Sequence, residues 1–266
     1  MTELEFACSA VRQCGDRALS LFGNTDLAVY EKEDGSDVCT ADIEVDGLGR
    51  AILGRGQHGD PVLSEETFKD ISQLDQFIDL GSYWILDSID GSTNYIHGIG
   101  HFCIALGKMR EGRPVLGVVY DPVRGDLFAA SEDTGATLNG DRISVSDTNT
   151  VAGTLIGYDW QNQTEEDNQR GFEGLRRLTS AGASTRKMAS AALDICYVAV
   201  GRFGAYVCPS KGSFNPWDHV GPGYILEKAG GKFTNFQGEK ANMFLQDRLA
   251  SNWIIHDNLL EVVKDL

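Results

Sequence analysis

Trp84-Ile85-Leu86-Asp87-Ser88-Ile89-Asp90-Gly91-Ser92-Thr93-Asn94 is the stretch from which the rest of this chain is read. Tyr83 to Leu86 is a compact apolar run, as a buried strand requires. That strand carries Asp87 and Asp90 to its end, and Gly91 then turns the chain. Two carboxylates three residues apart at a strand end repel each other unless a cation sits between them. No Lys or Arg occurs between Trp84 and Lys108, so a metal ion is the natural partner. All-oxygen ligands favour Mg²⁺, and Mn²⁺ also fits. The Gly91-Ser92-Thr93 turn offers backbone N–H groups to an anion. Metal and anion donors side by side describe a phosphate site. Spacing alone leaves a solvated acidic turn as the rival.

Upstream, Thr2 and Glu5 form a capping box ahead of an amphipathic helix of about 20 residues. Asn24 to Asp37 reads as a loop or irregular hairpin. Asp42 precedes a second helix through Ile52. Pro61-Val62-Leu63 is short and extended, and runs into Glu65-Glu66, which alone reads as surface charge. Downstream, Phe102 to Leu106, Val115 to Tyr120 and Leu127 to Ala130 lie between turn signals, and predict an antiparallel meander. Strands follow at Thr154–Tyr158, Gly204–Cys208, Lys232–Phe236 and Trp253–His256. Helices are expected at Glu165–Leu178, Ala189–Val200, Tyr224–Ala229 and Leu259–Leu266. Asp218 alone reads as an N-cap. Alternating blocks predict an α+β fold of stacked layers. We expect one domain over 1–266, with a subdomain boundary near 147–152.

Composition narrows the function. Among 266 residues, 23 Lys and Arg face 39 Asp and Glu, a net charge of −16. Nucleic-acid affinity comes from basic residues displacing counterions, so no nucleic-acid partner is expected. Docking on an anionic membrane is disfavoured for the same reason. The first residues are acidic rather than basic, and no apolar stretch approaches the length of a membrane span. The six cysteines are scattered. Counting leaves disulfides or a zinc site open, but buried thiols in a reducing cytoplasm are the simpler reading.

Four segments together resemble the inositol monophosphatase family, the Mg²⁺-dependent, lithium-sensitive phosphatases related to fructose-1,6-bisphosphatase. They are Asp34-Gly35-Ser36 to Asp42; Glu65-Glu66 with Asp87 to Asn94; Ser190 to Cys196; and Trp217-Asp218-His219-Val220-Gly221-Pro222-Gly223. The resemblance covers nearly the whole chain. It implies a layered α/β/α/β/α sandwich with largely antiparallel sheets. It implies that Glu65, Asp87, Asp90, Asp218 and the Ile89 carbonyl bind Mg²⁺, with Glu66 on a looser ion, about two or three ions per subunit. Glu65 and Ser92 would position the attacking water, with Asp42 orienting Ser92. Gly91, Ser92 and Thr93 would hold phosphate oxygens, and Asp90 and Ala191 would face the alcohol. A small phosphorylated metabolite as partner, a homodimer and a cytoplasmic location are implied too.

The chain departs from the family pattern at several positions. Ser88 replaces a usual proline, Ser92 a threonine, and Cys39 a common threonine. Pro222 follows closely on Asp218, which suggests that the helix starts near Gly221. Where inositol-selective members tend to carry a glutamate, this chain has Cys208 or Lys211. Neither accepts a hydroxyl hydrogen bond as a carboxylate does. Lys211 could instead meet a second anionic group of the substrate.

Overall fold

The structure, a computed structural model, describes residues 1–24, 27–31, 37–56, 59–68, 70, 74–160, 164–210, 215–242 and 247–266. Asp34 to Ser36 and Lys211 therefore lie outside the described residues. The first helix, α1 (Glu3–Leu21), opens as expected: Thr2 Oγ1 accepts from Glu5 N at 3.1 Å, and Thr2 N donates to Glu5 Oε2 at 2.7 Å. A small antiparallel pair follows, β1 (Val29–Glu31) and β2 (Asp37–Cys39). The second helix, α2 (Thr40–Leu53), starts before Asp42 rather than after it. Asp42 is its third residue, and its Oδ2 accepts from Cys39 N at 2.8 Å, so it caps the helix from within.

Next come β3 (Val62–Ser64), α3 (Leu74–Asp79), β4 (Ser82–Asp90) and α4 (Ser92–Ile96). The meander is β5 (Cys103–Arg110), β6 (Arg113–Asp121), β7 (Asp126–Ser131), β8 (Gly135–Leu138) and β9 (Asp141–Arg142). Together these strands form a seven-stranded sheet in the order β3-β4-β5-β6-β7-β8-β9, antiparallel except for the β3–β4 pair. The chain then crosses to a second sheet, and residues 147–152 lie within that crossing. It contains β10 (Leu155–Tyr158), β11 (Ser184–Arg186), β12 (Ala205–Cys208), β13 (Gly231–Thr234) and β14 (Arg248–Asn252). Its order is β11-β10-β12-β14-β13, with β10 parallel to both neighbours and the other pairs antiparallel.

Helices fill the remaining layers. α1 and α2 cover the outer face of the large sheet. Between the sheets lie α6 (Ala191–Ala199) and α7 (Val220–Lys228), in a core that joins Val119 and Phe128 to Leu193, Ile225, Tyr206 and Phe233. α5 (Glu165–Ser180) and α8 (His256–Val263) close the outer face of the small sheet. This is the α/β/α/β/α arrangement.

Three local expectations are corrected. Trp253 to His256 is not a strand; β14 ends at Asn252. Asn252 Oδ1 accepts from Ile254 N at 3.1 Å and Ile255 N at 3.0 Å, which turns the chain into α8 and leaves Trp253 and Ile254 exposed. Asp218 is not an N-cap: it ends a short 3₁₀ turn (Pro216–Asp218), and His219 takes the cap position. α7 begins at Val220, near Gly221 as Pro222 suggested, and not at the expected Tyr224. Pro222 fits there as the third residue, because the first helix turn has no intrahelical use for its missing N–H.

α7 lies against the large sheet at backbone contact. A Cβ on Gly117 would stand 2.2 Å from the Gly221 carbonyl oxygen. A Cβ on Gly221 would stand 2.4 Å from the Leu106 carbonyl oxygen. Gly221→Ala is therefore expected to destabilise by about 3 kcal/mol. Gly47→Ala, in α2 with nothing within 4 Å of the added methyl, should stabilise by about 0.5–1 kcal/mol. Urea midpoints of the two variants check this pair of opposite signs.

Candidate metal and phosphate site

In a regular strand, residues three apart point to opposite faces. The β4–β5 ladder avoids this for Asp87 and Asp90. Asp87 pairs with Ala105 but Asp90 with Cys103, so β4 carries one extra residue in a bulge at Ser88–Ile89. Ile89 N turns back to donate to Asp87 Oδ1 at 3.0 Å. Oxygens of Asp87, Asp90 and Asp218 consequently lie within 4.8 Å of one another. β3 runs parallel to β4 with Ser64 beside Leu86, so Glu65 and Glu66 begin one strand over, half-buried in the 3₁₀ turn Glu65–Thr67. They are not part of the three-carboxylate group.

Asp90 is buried, and its surroundings make its charge expensive. Burial pushes its carboxyl up to about 7, and the charge on Asp218 adds to the rise. Its Oδ2 is well supplied with donors: Ser190 Oγ at 2.5 Å, Ala192 N at 2.9 Å and Cys103 Sγ at 3.6 Å. Asp90 thus supplies the first turn of α6 with the acceptor that Ser190 does not provide. Ala191, the first residue of α6, stands beside it. Asp218 arrives from the far side. Its Oδ2 accepts from Arg248 Nη1 at 3.2 Å and Asn215 Nδ2 at 3.5 Å.

The anion turn is built next to the acids. Gly91 has φ +98°, and an added Cβ would meet the carbonyl oxygens of His101 at 3.0 Å and Ala189 at 3.2 Å. Glycine is required there on both counts. Ser92 Oγ lies 2.6 Å from Asp42 Oδ1 and 2.9 Å from the Ile89 carbonyl. Ser92 and Asp42 are thus in contact across 50 residues of chain. Thr93 is exposed at the turn, whose first amides have no intrahelical acceptor.

Several residues of the site escaped the sequence reading. Asn94 Nδ2 donates to the carbonyls of His101 and Met188, both at 2.8 Å, and ties the turn to the approach to α6. Ala189 takes φ +57° in that approach. Arg248 lies 30 positions from the aspartate it pairs with, and no spacing rule could have found it. Cys208 faces the central layer, buried, with Sγ 3.2 Å from Ser210 Oγ.

Three close, hard oxygen ligands, two at the end of β4 and one from the turn before α7, suit a divalent cation such as Mg²⁺. Comparison with known proteins agrees with this chemistry. The model of the inositol monophosphatase family matches residues 2–266. This chain belongs to the inositol monophosphatase family. It is 30% identical over 269 residues to a fructose-1,6-bisphosphatase/inositol-1-monophosphatase of Thermotoga maritima, covering 100% of this chain and 97% of that one. It is 27% identical to the Nus factor SuhB of Escherichia coli, covering 98% and 96%. The solved structure of the IMPase of Thermotoga maritima superposes with a TM-score of 0.85 at 29% identity, covering 100% of this chain and 98% of that one. The fold is that of this family.

Behind the anion turn lies a second buried acid. Asp194 Oδ1 is 3.6 Å from His101 Nε2, ion-pair rather than hydrogen-bond distance, and neither carboxylate oxygen nor either ring nitrogen has a hydrogen-bond partner among the described residues. Burial pushes Asp194 up to about 6. A carboxyl raised on folding stabilises the fold at low pH, and that stability is lost as pH climbs through the raised value. Asp194→Asn is therefore expected to stabilise the protein by about 2–3 kcal/mol near pH 8 and by little near pH 3, below the unfolded carboxyl's own pKa. Thermal unfolding at the two pH values checks it.

Proposed function

We propose that this chain is a Mg²⁺-dependent phosphatase of a small phosphate monoester, an inositol monophosphatase or a close relative. The observation that carries the reading is the convergence of Asp87, Asp90 and Asp218 beside the Ser92–Asp42 pair. Those three aspartates, Glu65 and the Ile89 carbonyl would hold the metal, with Glu66 on a further ion. When bound, the metal supplies a water of lowered pKa and stabilises the developing charge on the leaving oxygen.

The chain's own residues supply the rest. With its single proton given to Asp42, Ser92 Oγ can only accept, so it draws a water proton and fixes the direction of attack. Glu65 would hold the same water from the end of β3. The amides at Gly91, Ser92 and Thr93 would hold phosphate oxygens. Asp90 Oδ2 is held by α6, which leaves Oδ1 to turn towards the ligand side. Ala191 would line the alcohol pocket beside it.

Within the family, fructose-1,6-bisphosphatase, histidinol-phosphate phosphatase and 3′-phosphoadenosine 5′-phosphate phosphatase are the rival activities. The Thermotoga relative's double name supports keeping the bisphosphate. A binding or regulatory homologue with weak catalysis is the reading from another class, and the relatives named Nus factor SuhB favour keeping it in view. The intact carboxylate set weighs against it. A homodimer, a cytoplasmic location and inhibition by millimolar Li⁺ accompany the phosphatase reading.

Phosphate release from inositol-1-phosphate, fructose-1,6-bisphosphate, histidinol phosphate and 3′-phosphoadenosine 5′-phosphate, with and without Mg²⁺, tests the proposal. Release from at least one ester, only with the metal, is expected. No release at millimolar Mg²⁺ would favour the regulatory homologue. Asp90→Asn should remove turnover, by at least about a hundredfold, without loss of fold. Rates near wild type in that variant would take Asp90 out of the site.

A further inference from the structure

Arg248 opens β14 opposite Cys208 of β12. Strand alternation sends Leu249 into the outer core and places Arg248 with Ala250 on the face towards the central layer. Its side chain is 3% exposed. Nη1 donates to Asp218 Oδ2, while Nε and Nη2 are buried with no hydrogen-bond partner among the described residues. Leaving guanidinium donors unpaired out of water is costly. A neutral side chain would avoid that cost. Among the described residues, the group that this charge engages is one of three carboxylates crowded within 4.8 Å.

The guanidinium and a divalent cation would compete for Asp218. Nη1 takes one lone-pair direction on Oδ2, so the carboxylate is held to presenting its other oxygen. A fixed positive charge this close also repels a second cation. At the effective dielectric of a partly buried site, that repulsion weakens binding on the order of tenfold or more.

We propose that Arg248 is a positioning residue and a built-in counter-charge of the metal site: it aims Asp218 and keeps the ion that Asp218 shares weakly held. This inference rests on the metal reading above. It gives the buried arginine a purpose in turnover, because a loosely held ion eases departure of the phosphate product bound to it.

The test is isothermal titration calorimetry of Mg²⁺, and of Mn²⁺, into the full-length, metal-stripped protein. Arg248→Met keeps the length of the side chain and removes its charge; Arg248→Lys keeps the charge. The expected result is a Kd for the weakest ion about tenfold lower in Arg248→Met, and within about twofold of wild type in Arg248→Lys. A merely structural arginine would give the opposite sign, since its loss would disorder Asp218 and weaken binding. Unchanged or weaker binding in Arg248→Met would overturn the proposal. If Arg248→Met does not fold by circular dichroism, Arg248→Gln carries the same expectation. Unfolding of both neutral variants with Arg248→Lys intact would assign the residue to fold stability and overturn it too. A wild type that takes up neither ion would overturn the metal reading itself, and this inference with it.

Discussion

The distance between α7 and the large sheet is the constraint on which the site depends. Asp218 stands three residues ahead of Gly221, and Gly221 rests on the backbone of Leu106 and Gly117. Asp87 and Asp90 lie on β4, hydrogen-bonded to the strand that carries Leu106. One methyl group at this contact, 2.4 Å from a carbonyl oxygen where about 3.4 Å is ordinary contact, would push the helix back by about 1 Å and carry Asp218 with it away from the other acids. Glycine is used here for approach rather than for φ, since neither Gly117 nor Gly221 has a positive φ. Backbone-to-backbone packing therefore lies directly behind the carboxylate group.

Close approach creates an electrostatic problem that the fold solves one carboxylate at a time. Asp87 receives the amide of Ile89 within the bulge. Asp90 receives a hydroxyl and an amide from the start of α6. Asp218 receives the guanidinium from β14. Each donor comes from a different element, so the site joins strand, central helix and second sheet. The compensation is incomplete, because burial still holds the Asp90 carboxyl up to about 7. What remains is an attraction for a cation, stored in the fold before any ligand arrives.

Much of this was legible in the chain. The apolar run into Asp87 and Asp90 announced a buried strand with acids at its end, and the capping box at Thr2 announced α1, because both signals are local. The bulge was not legible: nothing in Ser88-Ile89 says that the register slips there, although the slip is what turns both aspartates to one side. Asp42 read as a flank and proved to be an internal cap, since its partner Cys39 lacks the usual capping chemistry. β14 was misplaced because Trp253 and Ile254 look like strand residues, while the deciding group is the polar Asn252 before them. Arg248, His101 and Asp194 were invisible for a shared reason. Their meaning lies in contacts across sheets and layers, and a single buried charge has no sequence pattern.

Net charge sets the last condition. With −16 overall, the long-range field of this protein repels a phosphate monoester, and the acids of the site add to that repulsion locally. Amides at Gly91 to Thr93 are partial charges of short reach and cannot reverse it alone. Arg248 contributes a full positive charge, but it is already committed to Asp218 and buried behind it. On the phosphatase reading proposed above, attraction of an anionic substrate would come from cations bound in front of the aspartates. On that reading the protein would repel phosphate esters while its acids are bare and admit them once they are loaded. Tightening the ions without limit would undo this, because product phosphate would inherit the same attraction. A buried guanidinium set against those cations, as proposed for Arg248, would balance entry with exit.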